Sequence, residues 1–428
     1  MIMRFYLIIF FFFTVQIVHA DSLQIITNNP IHKSEPSSKC GEEICSSLLE
    51  LINKSNSSIN FAIYGIRGQS QILDALKSAK DRGVEIRGVV DKDIDNKSYY
   101  RDTPKLEKIF KAKIRDDFKY DLETKKILSK KKYSENNKCQ RPEDTEGPLQ
   151  CFEGKGYASK NPFPFKGDIM HNKFFIIDNQ YVWTGSANIS DTGIGGYNAN
   201  NVVVLDSKFF AKYYLEEFEQ LYSGKFHRRK AVARHKDISK KIDSANISLV
   251  FSPKGYAMEK IFPIIKDAKQ SIDIPIFFLT HNAVSKELVK AHNRGVVVRV
   301  IIDSTGASNG YSKHQYLRDN GIKVKVENWG GKMHMKTAII DQKHIIIGSM
   351  NWTKAGVTKN DENTLIIKNS SSKGLQLTNF FNDMWLSIPD KWLDEDTKAE
   401  SHDSINSCTD GIDNDFDKLI DNKDIKCL

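Results

Sequence analysis

A strand, a helix and a second strand are predicted twice along this chain by apolar runs that alternate with amphipathic segments. The segments are residues 58–63, 71–81 and 84–91 in the first half, and residues 271–276, 285–293 and 296–303 in the second. Each helical pattern ends at a glycine, Gly83 or Gly295, that can take the left-handed conformation of a helix cap. A further helical pattern closes each half, at residues 207–222 and 372–386. This order predicts two α/β units, each with a largely buried sheet.

Each half also carries the same polar motif on an apolar strand. The first copy consists of His171, Lys173, Asp178, Ser186 and Asn188. The second copy has the same residue types at the same spacing, namely His334, Lys336, Asp341, Ser349 and Asn351. Because side chains alternate along a strand, the histidine and the lysine of each copy share one face. If the copies come together, two imidazoles and two ammonium groups form a site for a phosphate.

These residue types suit the cleavage of a phosphodiester, which resists attack because it is anionic. A neutral imidazole can attack phosphorus and form a phosphohistidine. The opposite imidazole, when protonated, can donate to the leaving oxygen and later activate water. Lys173 and Lys336 would hold the non-bridging oxygens, so that catalysis needs no metal. The hydrogen-bond donors expected around these oxygens are Ser186, Asn188, Ser349 and Asn351.

The halves differ by one insertion. Eighty residues separate Asp91 from His171, whereas thirty-one separate Asp303 from His334. This difference predicts an insertion at about residues 92–160, and loops of that length in compact domains are usually functional.

Two features of this region could contact a polyanion or a lipid. The basic run at residues 125–132 could bind phosphates, although such runs are also typical of a solvated face. The aromatic triplet at residues 163–165 could enter a lipid interface or stack on a base, or it could pack under the insertion.

Both the N-terminus and the cysteines favour an exported protein. Residues 1–20 have the pattern of a secretory signal peptide, because Arg4 precedes an apolar run and small residues lead up to Ala20. The alternative, an uncleaved membrane anchor, would need a longer apolar run. We therefore expect a secreted or periplasmic protein. The six cysteines favour disulfides rather than zinc. Six cysteines permit fifteen pairings, and the simplest joins those close in sequence, namely Cys40–Cys45, Cys139–Cys151 and Cys408–Cys427.

The C-terminal tail between Cys408 and Cys427 is rich in aspartate. Its spacing matches an EF-hand calcium loop, with carboxylates at positions 1, 3, 5, 9 and 12, which are Asp413, Asp415, Asp417, Asp421 and Asp424. Lys418 departs from that pattern, because it stands where glycine makes the sharp turn. A structural calcium ion and an acidic tail without metal are both possible interpretations, and residues 394–407 are predicted to be a flexible linker.

Composition supports two ordinary domains. The 428 residues are 40% hydrophobic and 27% charged, which is typical of globular proteins. The predicted domains are residues 21–235 and residues 236–393, followed by the linker and tail at residues 394–428. A formal net charge of +9 favours an anionic partner, either nucleic acid or a membrane surface.

The doubled motif resembles the phospholipase D superfamily, over about residues 46–389. The resemblance implies two α/β/α sandwich domains related by a pseudo-twofold axis, with the active site at their interface. It also implies that Asp178 and Asp341 are structural. Because both motifs lie in one chain, we expect a monomer.

The resemblance also suggests that the two histidines are not equivalent. Residues 360–363 resemble an ending of the motif whose glutamate, Glu362, orients a histidine of the opposite half in related proteins. That pairing implies that Glu362 holds His171, which would then be the nucleophile. Matching Asn188 to Asn351 aligns Ala199 with Glu362, so that His334 has no carboxylate behind it.

Three functions are compatible with this sequence. The first is an exported phospholipase D that hydrolyses phospholipid to phosphatidate and a free alcohol. The second is an exported, metal-independent nuclease that uses the same site. The third, a non-catalytic binding module, is disfavoured because the histidine and the lysine are intact in both copies.

Overall fold

The computed structural model describes residues 20–92, 98–121, 138–140, 150–152, 168–231 and 237–428. Several predictions concern residues outside these ranges: the signal peptide up to residue 19, most of the insertion at residues 92–160, its basic run and the aromatic triplet at residues 163–165.

The first half contains a seven-stranded sheet with helices on both faces. The strands of this half, seven in the large sheet and four in two small sheets, are β1 (Ser22–Asn28), β2 (Ser58–Ile63), β3 (Ile66–Arg67), β4 (Glu85–Val90), β5 (Ile114–Asp116), β6 (Lys138–Gln140), β7 (Gln150–Phe152), β8 (Lys173–Ile177), β9 (Tyr181–Gly185), β10 (Ile189–Ser190) and β11 (Asn200–Asp206). Its helices are α1 (Glu43–Lys54), α2 (Ser70–Asp81), α3 (Thr103–Phe110) and α4 (Lys208–Tyr222). The order in the large sheet is β1-β11-β9-β8-β2-β4-β5, while β3 pairs with β10 and β6 with β7.

The second half repeats this plan around an eight-stranded sheet. Its strands are β12 (Ile238–Ile242), β13 (Ala245–Ser252), β14 (Ser271–Ile276), β15 (Val297–Ile302), β16 (Lys323–Val326), β17 (Ala338–Ile340), β18 (His344–Gly348) and β19 (Glu362–Lys368), in the order β12-β13-β19-β18-β17-β14-β15-β16. Its helices are α5 (Ala257–Asp267), α6 (Asn282–Asn293), α7 (Ser304–Ser308), α8 (His314–Asp319), α9 (Lys354–Thr358) and α10 (Ser371–Ser387). The predicted strands and helices are all present. Within the described ranges, no helix has the length and apolar character needed to cross a bilayer.

The motif strand β8 is buried on both faces, and its side chains alternate between two cores. Phe175 and Ile177 pack with α1 and α2, whereas Phe174 and Ile176 belong to a second apolar core. This second core also contains residues of the other half, such as Ile347. The two halves therefore share one continuous core, which fixes the two motif strands relative to each other.

The motif aspartates have a structural role, as the resemblance implied. Asp178 accepts hydrogen bonds from the backbone amides of Asn56, Ser57 and Ser58 at 2.8–3.0 Å and thereby fixes the start of β2. Asp341 accepts equivalent bonds from the amides of residues 269–271 before β14. Burial alone raises the pKa of Asp178, but hydrogen bonds from these amides outweigh it and hold that pKa below its usual value.

The C-terminal tail does not follow a flexible linker, so that prediction is wrong. Residues 394–407 pack against the second half, where Ile405 forms a β-bridge with Trp329 and Thr397 Oγ1 donates to the Glu327 carbonyl oxygen at 2.5 Å. The segment is polar in sequence, but its hydroxyls bond to its own backbone. Ser407 Oγ, for example, donates to the Ser401 carbonyl oxygen at 2.9 Å.

Two of the three predicted disulfides are present. Cys40 is joined to Cys45 and Cys408 to Cys427. The third prediction, Cys139–Cys151, concerns side chains outside the described part of the chain. The backbones of these two residues lie opposite each other on β6 and β7.

Replacing Asp178 with alanine should lower the free energy of unfolding by about 1–3 kcal/mol, because three amides lose their acceptor. Since the folded-state pKa of Asp178 is lowered, this contribution is present above about pH 4 and is lost as the pH falls through the folded pKa. Urea unfolding at pH 7 and pH 3 measures both effects. Asp81→Ala, at an exposed position of α2, should change stability by less than about 0.5 kcal/mol. Equal effects of the two substitutions at pH 7 would contradict this role for Asp178.

Candidate active site

Each motif histidine is anchored to the opposite half by its own backbone. The His171 amide donates to the Asp361 carbonyl oxygen at 3.0 Å, and the His334 amide donates to the Ala199 carbonyl oxygen at 3.0 Å. The preceding residues form two matching β-bridges, Met170 with Asp361 and Ala199 with Met333. These contacts place both histidines at the interface between the halves, in a pseudo-symmetric arrangement.

Glu362 stands directly behind His171, as the pairing of the halves predicts. Both carboxylate oxygens of Glu362 lie 2.9 Å from His171 Nδ1. The Ser349 hydroxyl donates to Glu362 Oε2 at 2.7 Å and fixes the carboxylate from the other side. Because the carboxylate accepts a hydrogen bond from Nδ1–H, the proton of the neutral imidazole stays on Nδ1, and Nε2 keeps a lone pair that can act as a nucleophile.

Asn200 occupies the equivalent position behind His334. Its Oδ1 atom lies 3.2 Å from His334 Nδ1 and accepts a hydrogen bond from the Ser186 hydroxyl at 2.9 Å. An amide oxygen orients an imidazole as a carboxylate does, but it carries no charge and stabilises the imidazolium less.

The predicted alignment of Ala199 with Glu362 is therefore wrong by one residue. The next residues confirm the corrected register, since the Asn201 amide donates to Ser186 Oγ at 3.0 Å and the Asn363 amide donates to Ser349 Oγ at 3.1 Å. The first copy has one extra residue in the loop between Asn188 and β11, which sequence matching without gaps could not detect.

Ser186 and Ser349 were predicted to face the site, and that prediction is wrong. Both are completely buried, and their hydroxyls donate to Asn200 and Glu362 behind the imidazoles. They support the groups that orient the histidines and do not hold a phosphate directly.

Asn188 and Asn351 border the cavity between the halves, and their role as donors to a phosphate stays a prediction. The Oδ1 atom of each has no hydrogen-bond partner within the described ranges. Their side chains are therefore available to a bound molecule.

The two lysines are buried beside the histidines. Lys173 Nζ donates to the His171 carbonyl oxygen at 2.8 Å, and Lys336 Nζ donates to the His334 carbonyl oxygen at 2.6 Å. An ammonium group has three N–H donors, so each lysine can donate to more than one oxygen atom, including those of a phosphate. The arrangement is a fixed pair of positive charges in a largely dry site, where charge is most effective.

Two aromatic residues of the site were missed by sequence reasoning. The Tyr64 ring lies 5.4 Å from the His171 ring, and the Phe277 ring lies 5.0 Å from the His334 ring, measured between centroids. Lys336 Nζ also lies 4.7 Å from the Phe277 centroid. Both aromatics directly follow the first strand of the duplicated unit, β2 or β14, and that shared position is the signal that could have revealed them.

The site disfavours positive charge on its imidazoles. Burial lowers the pKa of His171; Glu362 counteracts this effect, and the net pKa stays below the ordinary value. The pKa of His334 is well below the ordinary value because of burial and the charges of Lys336 and Lys173. This lowered pKa favours the neutral form of His334, whereas one protonated imidazole is expected from the sequence.

A cavity of about 1460 Å³ opens from this site, mostly along the second half. It is larger than common small-molecule pockets of roughly 300–1,000 Å³. Its lining includes the aromatic residues Tyr64, Phe277, Phe278, Tyr311 and Phe416. The cavity can therefore accommodate a large, partly apolar molecule with its phosphate at His171.

The tail brings together only some of the predicted calcium ligands. The carboxylates of Asp413, Asp415 and Asp417 offer oxygens within 4.8 Å of one another, and Glu400, Asp415 and Asp424 form a second such group.

Other contacts of the tail depart from the predicted calcium loop. Asp421 instead accepts a hydrogen bond from the Gly411 amide at 3.1 Å. Lys426 forms ion pairs with Asp415 and Asp417. Lys418 adopts φ 75°, the left-handed conformation that a glycine would take at this position of the loop. Glu400 was not predicted because it lies outside the spaced aspartates.

Comparisons with known proteins agree with this geometry. The family model "Cardiolipin synthase, PLD-like domain" matches residues 48–222 and 261–385. The mitochondrial cardiolipin hydrolase of Chlamydomonas reinhardtii is 33% identical over 111 residues, which are 26% of this chain and 50% of that protein. A phospholipase D of Rickettsia conorii is 30% identical over 149 residues, which are 35% of this chain and 74% of that protein.

A solved structure covers nearly the whole fold. The phosphatidylserine synthase of Haemophilus influenzae aligns with a TM-score of 0.54 and 13% identity, over 86% of this chain and 91% of that chain. The predicted fold of two phospholipase D-like halves is confirmed. The present chain spans half the length of the algal relative.

Exchanging the groups behind the imidazoles should move their pKa values in opposite directions. Asn200→Asp should raise the pKa of His334, because a carboxylate favours the imidazolium. Glu362→Gln should lower the pKa of His171, because the imidazolium loses its carboxylate partner. NMR titration of labelled histidines in the free protein measures both. An unchanged His334 titration in a folded Asn200→Asp variant would contradict the contact between these residues.

Proposed function

The chain belongs to the cardiolipin synthase, PLD-like domain family, and on that premise we propose that it hydrolyses a phospholipid to phosphatidate and a free alcohol. The observation that carries this proposal is the contact of Glu362, from the second half, with His171 of the first. This contact makes one composite site from both motifs, with an oriented nucleophile beside two fixed positive charges.

In the proposed reaction, His171 is the nucleophile. Its Nε2 lone pair attacks phosphorus, a P–N bond forms, and the P–O bond to the alcohol breaks. Attack leaves positive charge on the His171 imidazole, and the Glu362 carboxylate at Nδ1 stabilises that charge. The resulting phosphohistidine retains the phosphatidyl group.

His334 supplies and recovers the proton. The bound phosphate anion favours the imidazolium form of His334, whose Nε2–H then protonates the leaving alkoxide. In the second step neutral His334 takes a proton from water, the hydroxide attacks phosphorus, and the P–N bond breaks. Because Asn200 provides only a neutral acceptor, the His334 imidazolium is a strong acid, which suits protonation of an alkoxide.

The lysines take over the charge neutralisation that a metal would provide. Lys173 and Lys336 lie on opposite halves, and the positive charge of each lowers the pKa of the same imidazole, His334. A phosphate between them has its negative charge balanced before the transition state is reached. The proposal therefore includes no catalytic metal.

The shape of the cavity favours a lipid over a nucleic acid. Aromatic rings and small side chains such as Ala283 and Ala355 form much of its lining. A lipid can bury its glycerol and the beginning of its acyl chains there, whereas a nucleic acid needs a basic groove along its backbone. Nuclease activity remains the competing outcome, since the net charge of +9 also suits a polyanion.

Three further features complete the proposal. We propose an exported protein, on the basis of the signal-peptide pattern at residues 1–20 and the disulfides Cys40–Cys45 and Cys408–Cys427. We propose a monomer, because one chain supplies both motifs. We also propose that the tail holds a structural calcium ion. Three hard oxygen ligands converge there, at Asp413, Asp415 and Asp417, and Asp413 Oδ1 is buried without a hydrogen-bond partner in the described structure.

A substrate comparison in EDTA tests the proposed activity. The purified protein should release alcohol from phospholipid vesicles faster than it cleaves single- or double-stranded DNA, and EDTA should not lower the turnover. Lys173→Ala and Lys336→Ala should each reduce turnover by about 100- to 1,000-fold. If calcium is structural, EDTA should lower only the melting temperature. Rapid DNA cleavage with inert vesicles, or turnover that returns only with magnesium, would overturn the proposal.

Trapping the covalent intermediate tests the roles of the two histidines. Mass spectrometry of quenched reactions should place the phosphorus on the peptide that contains His171. His334→Ala should still form this intermediate from a substrate with a good leaving group and then hydrolyse it slowly, whereas His171→Ala should form none. Glu362→Gln should behave as a weakened His171 variant. Phosphorus on the His334 peptide would reverse the assignment.

A further inference from the structure

The C-terminal tail forms one wall of the substrate cavity. Phe416, Asp415 and Lys426 line the same cavity as His171 and Asn351, together with residues 397–399. The family model ends at residue 385, so this wall lies outside the matched residues. The histidines lie within the matched residues, and this outer part of the cavity lies beyond them.

The tail is fixed close to His334 through Lys332, two residues earlier in the segment that leads to β17. Lys332 Nζ lies 4.5 Å from the centroid of the Phe416 ring and donates to the Asn414 carbonyl oxygen at 2.7 Å. It also donates to Thr305 Oγ1 at 2.8 Å. One ammonium group therefore determines where the Phe416 ring lies relative to the catalytic histidine.

The tail is also attached to the first half. The Tyr197 hydroxyl donates to Asp410 Oδ2 at 2.5 Å, and Asn414 Nδ2 donates to the same oxygen at 2.9 Å. Tyr197 precedes Ala199, whose carbonyl oxygen holds the His334 backbone. Because the tail contacts both halves beside the site, its position is coupled to that of the cavity.

The tail contributes an aromatic ring to this wall, and Lys398 contributes a basic side chain. The Phe416 ring is half-buried, and its φ of 66° places its backbone in the left-handed region. Asp415 and Lys426 form an ion pair in the same wall. The Phe416 ring can therefore contact an uncharged apolar portion of a substrate.

We propose that the tail determines substrate selectivity, with Phe416 binding the apolar portion of the lipid next to the phosphodiester. This inference rests on the proposed phospholipid hydrolysis and names the part of the protein that selects the lipid. The tail makes the site favour a long-chain phospholipid over a small diester that has no acyl chains to extend along this wall.

The test compares two substrates, phosphatidylcholine vesicles and bis(p-nitrophenyl) phosphate. Phe416→Ala should lower kcat/KM for vesicles about tenfold more than for the small diester, mainly through KM, because an apolar contact is lost. Phe416→Leu keeps an apolar side chain and should restore most of the vesicle activity. The matched control is Ile425→Ala. Ile425 lies in the same tail but is 79% exposed and does not line the cavity, so this variant should not change kcat/KM for either substrate.

The outcomes separate this proposal from the proposed function. Suppose that vesicles are turned over. If Phe416→Ala then lowers kcat/KM equally for both substrates, or leaves kcat/KM unchanged as Ile425→Ala does, the tail does not select the substrate. If the wild-type protein hydrolyses the small diester but no vesicle, phospholipid hydrolysis itself fails, and the lipid assignment of the tail fails with it. Unchanged melting temperatures of both phenylalanine variants show that their rates report on the cavity rather than on folding.

Discussion

The contact between the Glu362 carboxylate and the His171 imidazole is the interaction on which the site depends. It joins residues from opposite halves, and it is completed by a backbone hydrogen bond from His171 to the neighbouring Asp361. A carboxylate and an imidazole can remain buried together only if both are well placed, because an unpaired buried charge is costly. The shared apolar core provides that placement by holding the two sheets in one relative position.

The pseudo-symmetry of the site is broken at the group behind each imidazole. The same hydroxyl and imidazole geometry recurs in each half, with Ser349 and Ser186 in matching positions. The central group is a carboxylate in one half and the amide of Asn200 in the other. A carboxylate stabilises the positive charge that a nucleophilic imidazole acquires, whereas an amide leaves its imidazole more ready to give up a proton. A change of one functional group therefore gives two identical residues different properties.

Much of the fold and of the site could be predicted from the sequence. The duplicated spacing identified both histidines and both lysines, and Glu362 was correctly paired with the opposite half. The role of Asn200 was missed because one extra residue in a loop shifts the register, and a register error reassigns every side chain that follows. The donors Ser186 and Ser349 were misplaced for another reason. Spacing shows that a hydroxyl is near the site, but not which of several buried acceptors it faces.

The same limitation explains the C-terminal tail. Its polar composition is typical of a linker, yet its hydroxyls satisfy its own backbone and allow it to pack. Tyr64 and Phe277 were overlooked because aromatic residues after a strand are common, and only the tertiary structure shows that both rings contact an imidazole.

The difference between Glu362 and Asn200 has a consequence for how such a site can evolve. A symmetric pair of identical subunits takes both supporting groups from one codon, so any substitution changes the nucleophile and the acid together. Two copies within one gene remove that restriction, because each codon can mutate independently. The amide at position 200 is therefore a specialisation that is open to the fused chain and closed to a homodimer of a single copy.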